Sequence, residues 1–445
     1  MANQNKQPTG MYVIACTEIF ERFSYYTLSF LLVLYASDKI TKGGLGWTME
    51  NALLLVSIYT FAAYTLPLIG GYLSDKYLGA YKASVFGGCL IVLGHLTLLF
   101  SSYNHLPIFY LAVSLVASGT AFFKPNMPTL LGRLYAPNDY SREGGFKLYY
   151  FGINLGAGLA GITNGLLNQH FGYRIALSSA SIGMTLGLFV LILGKKHLVT
   201  FNLKEVRENA SQTNTSNTSM SPLAKRALKY LGCSFVFFAF WAISYNLAVS
   251  GTLSLYLENF TNRFAFGYEI PTTFFSSLES IGILISAPIL AYFFQALANK
   301  GRPFHFFSQM CLSIGIIVAA LAYLLYLSHI LKSGITPGTK PFYWTSFAIF
   351  MLAIAVSEVL ISPVMMCAIS VLAPVKSRSL WQAAYLTIIG LMSLVAGKIG
   401  AMSLHEPFKT FLWLTVATFS AFLIFLILLK RFKTVANEAA NELED

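Results

Sequence analysis

Apolar residues run along this chain in long stretches separated by short polar breaks. Crossing a bilayer core of about 30 Å takes about 20 helical residues. Twelve stretches reach that length, near 11–36, 50–73, 82–103, 107–130, 145–168, 174–194, 226–256, 271–296, 304–330, 342–370, 379–403 and 408–430. The tenth is long enough to cross at a tilt. The pattern predicts an all-α membrane protein. The first stretch is not expected to be a cleaved leader, because Glu18, Glu21 and Arg22 occupy its middle, where a leader would be uncharged.

The polar breaks add the organisation. The longest, 195–225, opens with cations and continues rich in Asn, Ser and Thr, as a linker does. It divides the stretches six and six. Two six-helix bundles joined by a linker is similar to the major facilitator architecture. The expected division is a first bundle over 1–194, the linker 195–225, a second bundle over 226–432 and a tail over 433–445. The break after the second stretch reads Gly71-YLS-Asp75-Lys76-YL-Gly79-AY-Lys82, and Ala298-Asn299-Lys300-Gly301-Arg302 after the eighth is its degenerate echo. Both are readable as repeat traces or as ordinary basic turns.

Composition agrees with the span count. The chain of 445 residues is 56% hydrophobic and 11% charged, against roughly a quarter charged in soluble domains. The net charge of +12 raises the question of nucleic acid, and its distribution answers it. With the N-terminus placed inside, the inner breaks hold 20 of the 30 Lys and Arg, the outer breaks hold 7, and Arg22, Lys124 and Lys398 fall within spans. This is the positive-inside bias. It predicts a multi-pass protein of the cell (inner) membrane with both termini cytoplasmic and no nucleic-acid partner. Cys16, Cys89, Cys233, Cys311 and Cys367 all lie in apolar runs without CxxC spacing, so neither disulfides nor a metal site are indicated. There is no HExxH, GxSxG or Gly-rich phosphate loop, and nothing points to an enzyme, to ATP-driven transport or to a cofactor.

Charges inside spans carry the chemistry. Each costs at least about 2.5–3.5 kcal/mol at mid-bilayer and normally faces a cavity or a partner. Glu18, Glu21 and Arg22 lie in the first span, Lys124 in the fourth, Glu279 in the eighth and Glu358 in the tenth. Glu18, Arg22, Tyr25 and Ser29 recur at helical spacing as one stripe, flanked by Glu21 and Tyr26. Carboxylates paired with cations in a low-dielectric cavity can gain and lose protons as the pairs open. The alternative is a static cluster that fixes helix packing. Lys398 sits near a span end and reads as a snorkelling side chain. Pro125 and Pro128, Pro288 and Pro363 interrupt spans four, eight and ten, as gates or as fixed bends.

These residues resemble the proton-dependent oligopeptide transporters. Glu18-Ile-Phe-Glu21-Arg22-Phe23-Ser-Tyr-Tyr is similar to that family's ExxERFxYY motif. Phe123-Lys124-Pro125-Asn126 resembles its KPN signature. Phe151-Gly152-Ile153-Asn154-Leu-Gly156 and Ser357-Glu358-Val-Leu-Ile-Ser362-Pro363, followed by Leu372-Ala373-Pro374, are also similar, in the right order over most of the chain. The resemblance implies proton-coupled symport of di- and tripeptides into the cell by a monomer, driven by the proton gradient alone. Glu18, Glu21, Arg22 and Lys124 would couple protons. Lys124 would lie near the peptide carboxylate, Glu358 near its amino group, and Tyr26, Tyr64 and Asn154 would line the site.

The chain departs from the family at three points. Ser29 stands where the family commonly has an Arg. The seventh span, around Phe240-Trp241 and Tyr245-Asn246, lacks the usual acid. Glu279 stands where Asn is expected. Ser29 and Glu279 both make the site more negative, which favours cationic or amine-bearing ligands. A same-family carrier of another solute or drug, including a proton antiporter, is therefore the alternative reading.

Overall fold

The computed structural model describes residues 7–135, 141–198, 222–302, 304–332, 340–373 and 378–444. Most of the expected linker and Pro374 lie outside these residues. The first bundle comprises α1 (Thr9–Ser37), α2 (Met49–Leu73), α3 (Ala80–Leu98), α4 (Leu106–Phe123) continued by α5 (Asn126–Gly132), α6 (Ser141–Phe171) and α7 (Tyr173–Leu193). The second comprises α8 (Pro222–Val249) continued by α9 (Thr252–Phe260), α10 (Thr272–Asn299), α11 (Phe306–Lys332), α12 (Trp344–Leu372), α13 (Arg378–His405) and α14 (Pro407–Glu444). Among the described residues, ten helical segments are long and apolar enough to cross a membrane. The long helices outside that set are α1, which carries Glu18, Glu21 and Arg22, and α6, which is rich in Gly and Asn. Both tolerate polar residues because neighbouring helices cover them. All three charged residues of α1 are buried.

Local chemistry places the breaks. Thr48 caps α2 by accepting the Asn51 amide at 3.3 Å. After α2 the chain makes a wide turn over Ser74–Leu78 and reverses at Gly79, whose φ of 74° suits glycine. Gly301, in the equivalent break after α10, has φ 71°, so both breaks turn at a glycine of positive φ. The seventh span is split at Gly251, φ 104°, which packs against Val33 of α1. Short strands lie on the face opposite the chain ends. β1 (Thr261–Asn262) pairs parallel with β4 (Phe342–Tyr343), and β2 (Phe264–Ala265) pairs with β3 (Tyr268–Glu269) as a hairpin.

One apolar core fills the second bundle, and two others lie almost wholly within the first. The bundles meet through small residues and hydroxyls. Thr273 Oγ1 donates to the Gly161 carbonyl at 2.6 Å, and Ser277 Oγ donates to the Gly158 carbonyl at 2.8 Å, joining α6 to α10. Ser393 Oγ donates to the Ser57 carbonyl at 3.0 Å, joining α2 to α13. His405 and Glu50 approach to 3.0 Å on the same face. These contacts all lie in the half of the molecule away from the chain ends, so the structure is closed there. A side chain added at Gly161 would meet Ser277 and the Thr273 carbonyl. Gly161→Leu is therefore expected to wedge α6 from α10. The protein should still assemble, and a cysteine placed on the closed face should gain reactivity towards a membrane-impermeant thiol reagent.

Candidate functional site

Two charged groups face one another across the bundle interface. The first is built on α1. Glu18, Glu21 and Arg22 are 2%, 0% and 5% exposed. Arg22 Nε lies 3.1 Å from Glu18 Oε1 and also pairs with Glu21 Oε2. The arrangement follows from the helix: Glu18 is one turn before Arg22, and Glu21 is its chain neighbour. Tyr149 of α6 stands beside Glu18. Gly156 lets α6 approach α1 here, since a side chain at that position would meet the Ile19 carbonyl and Arg22 Cβ. The glycines of the Phe151-to-Gly156 stretch thus bring Tyr149 and Asn154 up to the charged helix.

The cluster is not fully satisfied. Glu18 Oε2, Glu21 Oε1 and Arg22 Nη2 are buried without a hydrogen-bond partner among the described residues. Unpaired buried charge is costly, and such atoms are natural acceptors and donors for a proton, water or ligand. Beside them, Lys124 Nζ sits 3.6 Å from the centroid of the Tyr64 ring and 5.8 Å from that of Tyr25. Its charge is within electrostatic reach of Arg22, Glu21 and Glu18, yet it forms no ion pair among the described residues. The cation is held by ring faces, which leaves its donors available.

The break after Lys124 is fixed by its neighbours. α4 ends at Phe123, Pro125 precedes α5, and Asn126 Nδ2 donates to the Phe122 carbonyl at 2.6 Å and to Ser74 Oγ at 2.8 Å. Asn126 thereby ties the end of α4 to the turn after α2, while Pro125 has no amide N–H to offer the Ala121 carbonyl, which lies against Gly70. Pro363, by contrast, lies in α12 without ending it.

The second group belongs to the other bundle. Glu279 of α10 is 3% exposed. Its carboxyl adjoins that of Glu358 on α12, within hydrogen-bonding contact. Between the two groups stand tyrosines from four helices: Tyr26 of α1, Tyr64 of α2, Tyr150 of α6 and Tyr245 of α8, each within electrostatic reach of both carboxyls. Asn154 Nδ2 donates to the Tyr150 carbonyl at 3.0 Å. Trp241 Nε1 donates to Ser357 Oγ at 2.8 Å, and Ser313 shares that hydroxyl at 2.8 Å. Trp241 stacks on Tyr245 with ring centres 4.9 Å apart. The residue before Glu358 is thus anchored, and the tyrosine facing it is braced.

The structure brings together Glu18, Glu21, Arg22 and Lys124, and separately Glu279 with Glu358. Tyr26 and Tyr64 join the two groups. Ser29 is buried on α1, and its side chain makes no hydrogen bond among the described residues. Lys398 is exposed on α13. Sequence reasoning missed Tyr149, Tyr150, the Trp241–Ser357–Ser313 chain and Tyr385. A signal did exist for Tyr150, which lies one helical turn before Asn154. Trp241→Phe removes only the indole donor. It is expected to leave the fold intact and lower stability by about 0.5–1.5 kcal/mol, the contribution of one neutral hydrogen bond, read as a fall in the thermal midpoint.

Comparison with known proteins places this geometry. The sequence profile of the POT family matches residues 81–213. The chain is 27% identical over 441 residues to the peptide transporter YePEPT of Yersinia enterocolitica, covering 86% of both. It is 36% identical over 204 residues to the di-/tripeptide transporter of Lactococcus lactis, covering 44% of this chain and 41% of that one. Its fold superposes on a crystal structure of a mutant peptide transporter POT in complex with alafosfalin, with a TM-score of 0.85, 23% identity and 96% of each chain covered. The fold is that of a major facilitator, two six-helix bundles, and the chain is similar to the POT family over residues 81–213.

Proposed function

We propose that this protein carries small peptides into the cell together with protons by alternating access, with no cofactor beyond the proton gradient. The observation that carries the reading is the pairing of opposite charges across the interface. A cation-rich end, Arg22 and Lys124, belongs to the first bundle. A carboxyl end, Glu279 and Glu358, belongs to the second. A short peptide is a zwitterion with charges at its two ends. Its carboxylate matches Lys124 and its ammonium matches the carboxyl pair, with Tyr26, Tyr64 and Asn154 alongside. Relatives named as peptide transporters support the same substrate class.

A proton arriving at Glu18 or Glu21 weakens its pair with Arg22 and frees the guanidinium for the substrate carboxylate. A loaded, charge-matched site lets the bundle of 1–194 rock against that of 226–432, with 195–225 as the tether, 433–445 as the tail, and Pro125 and Pro363 near the moving ends. The membrane potential assists, since one charge moved through 100 mV is worth about 2.3 kcal/mol. One chain holds both ends of the site and works as a monomer in the cell membrane, with both termini cytoplasmic.

Purified protein in liposomes with an inward pH gradient tests this. Labelled di- and tripeptides should accumulate, while free amino acids, nucleosides and simple amines should neither accumulate nor compete. Accumulation of an amine, nucleoside or drug in place of peptides would overturn the assignment.

A further inference from the structure

The carboxyl pair carries a consequence beyond peptide binding. Glu279 and Glu358 come from different helices and meet where no cation pairs with either, among the described residues. Ser280 Oγ donates to Glu279 Oε2 at 3.1 Å. Glu358 Oε2 is buried without a partner among the described residues. The groups facing the pair are Tyr26 from α1, Tyr64 from α2, Tyr150 from α6, Tyr245 from α8 and, beside Glu358, Tyr385 from α13. The buried cations Arg22 and Lys124 are engaged elsewhere, by α1 carboxylates or ring faces. A hydrogen bond between two carboxyl groups needs a proton on one of them, because carboxylates only accept. The pair is therefore built to hold one proton between two acids, with five tyrosines around it.

We infer that Glu279 and Glu358 exchange this shared proton for a second ammonium on the substrate, so that a peptide with an extra amino group on its first residue travels with about one proton fewer than an uncharged peptide. The inference rests on the reading of the chain as a proton-coupled peptide carrier and adds the role of Glu279. With a peptide such as Ala-Ala, one carboxylate meets the α-ammonium and its neighbour keeps the proton. With Lys-Ala, the O–H bond of the protonated carboxyl breaks, the proton leaves to water, and two carboxylates accept from two ammonium groups. No electrons move. The pair and its ligand carry the same net charge in both cases, because the proton that leaves is replaced by the extra ammonium, so the moving unit has the same charge whichever peptide it holds. A single acid at this position could not compensate in this way.

The test is a ratio. Liposomes holding the purified protein and a trapped pH dye report protons, and radiolabel reports peptide, for Ala-Ala and Lys-Ala in turn. Wild type should move about one proton fewer per Lys-Ala than per Ala-Ala. Glu279→Gln, which leaves one acid, should remove that difference. Equal ratios in the wild type overturn the inference, and so does a difference that survives in Glu279→Gln. Should that variant fail to assemble, the wild-type ratio alone decides. Failure of the wild type to move either peptide would instead overturn the peptide reading, and the inference with it.

Discussion

Glu21→Gln should abolish accumulation against a gradient while leaving the protein in the membrane. Glu21 is fully buried and pairs with Arg22. The amide keeps the shape but can neither take up a proton nor balance the guanidinium. Removing one partner of a buried ion pair costs about 3–5 kcal/mol. Here Glu18 at 3.1 Å remains as a second anion, so thermal stability should drop without loss of fold. The functional effect is larger, because the coupling step itself is gone. Accumulation of peptide should settle at an inside-to-outside ratio of about one, the value with no free-energy coupling to protons. Exchange of labelled for unlabelled peptide should persist, since it needs only the loaded carrier to reorient. Accumulation in Glu21→Gln equal to wild type would remove Glu21 from the coupling network.

Lys124→Gln is expected to weaken substrate capture most. Lys124 Nζ lies 3.6 Å from the centroid of the Tyr64 ring, with no ion pair among the described residues, so its charge is free to receive a carboxylate. A hydrogen bond to a charged group contributes about 1.5–3 kcal/mol, which predicts roughly 10- to 150-fold weaker half-saturation. A peptide amide, which lacks the carboxylate, should compete with similar strength in wild type and variant. That comparison separates a binding role from general damage, because misfolding would weaken both ligands alike. A Lys124→Gln protein that discriminates peptide from peptide amide as sharply as wild type would place the carboxylate elsewhere.

How much of this was legible in the sequence depended on what each residue costs in lipid. Glu18, Glu21, Arg22, Lys124, Glu279 and Glu358 stood out because a charge inside an apolar run is expensive enough to need a reason. The span positions agree with the helices to within a few residues at most ends, since long apolar runs leave little room for shift. The breaks were less visible. The seventh span reads as one run over 226–256, but Gly251 at positive φ divides it into α8 and α9. The 433–445 tail carried no apolar signal, yet α14 continues to Glu444. Its Ala and Glu residues favour helix, and Phe432, Val435 and Ala436 are buried at its start. Phe432 packs against Tyr230 and Phe307.

Tyrosines were the hardest to assign. Tyr149, which reaches Glu18, and Tyr245, which reaches the carboxyl pair, look like ordinary packing residues in an apolar run. Only the tertiary arrangement shows what their hydroxyls meet. Trp241 is similar: its partner Ser357 lies 116 residues away. Pro125 and Pro363 look alike in sequence, but one separates two helices and the other sits within one. Asn126, next to the first of them, bonds the Phe122 carbonyl and Ser74 through its side chain, a tertiary contact that the sequence does not show.

The central claim is that peptide and proton move together, in the same direction, through the site between the two bundles. The most direct measurement uses liposomes containing the purified protein, a trapped pH indicator and no initial pH gradient, with an imposed potential negative inside. Addition of Ala-Ala outside should acidify the lumen at once, in proportion to labelled peptide taken up, and Glu21→Gln should abolish the acidification. An unchanged luminal pH during peptide uptake, or a lumen that turns alkaline, would contradict the account.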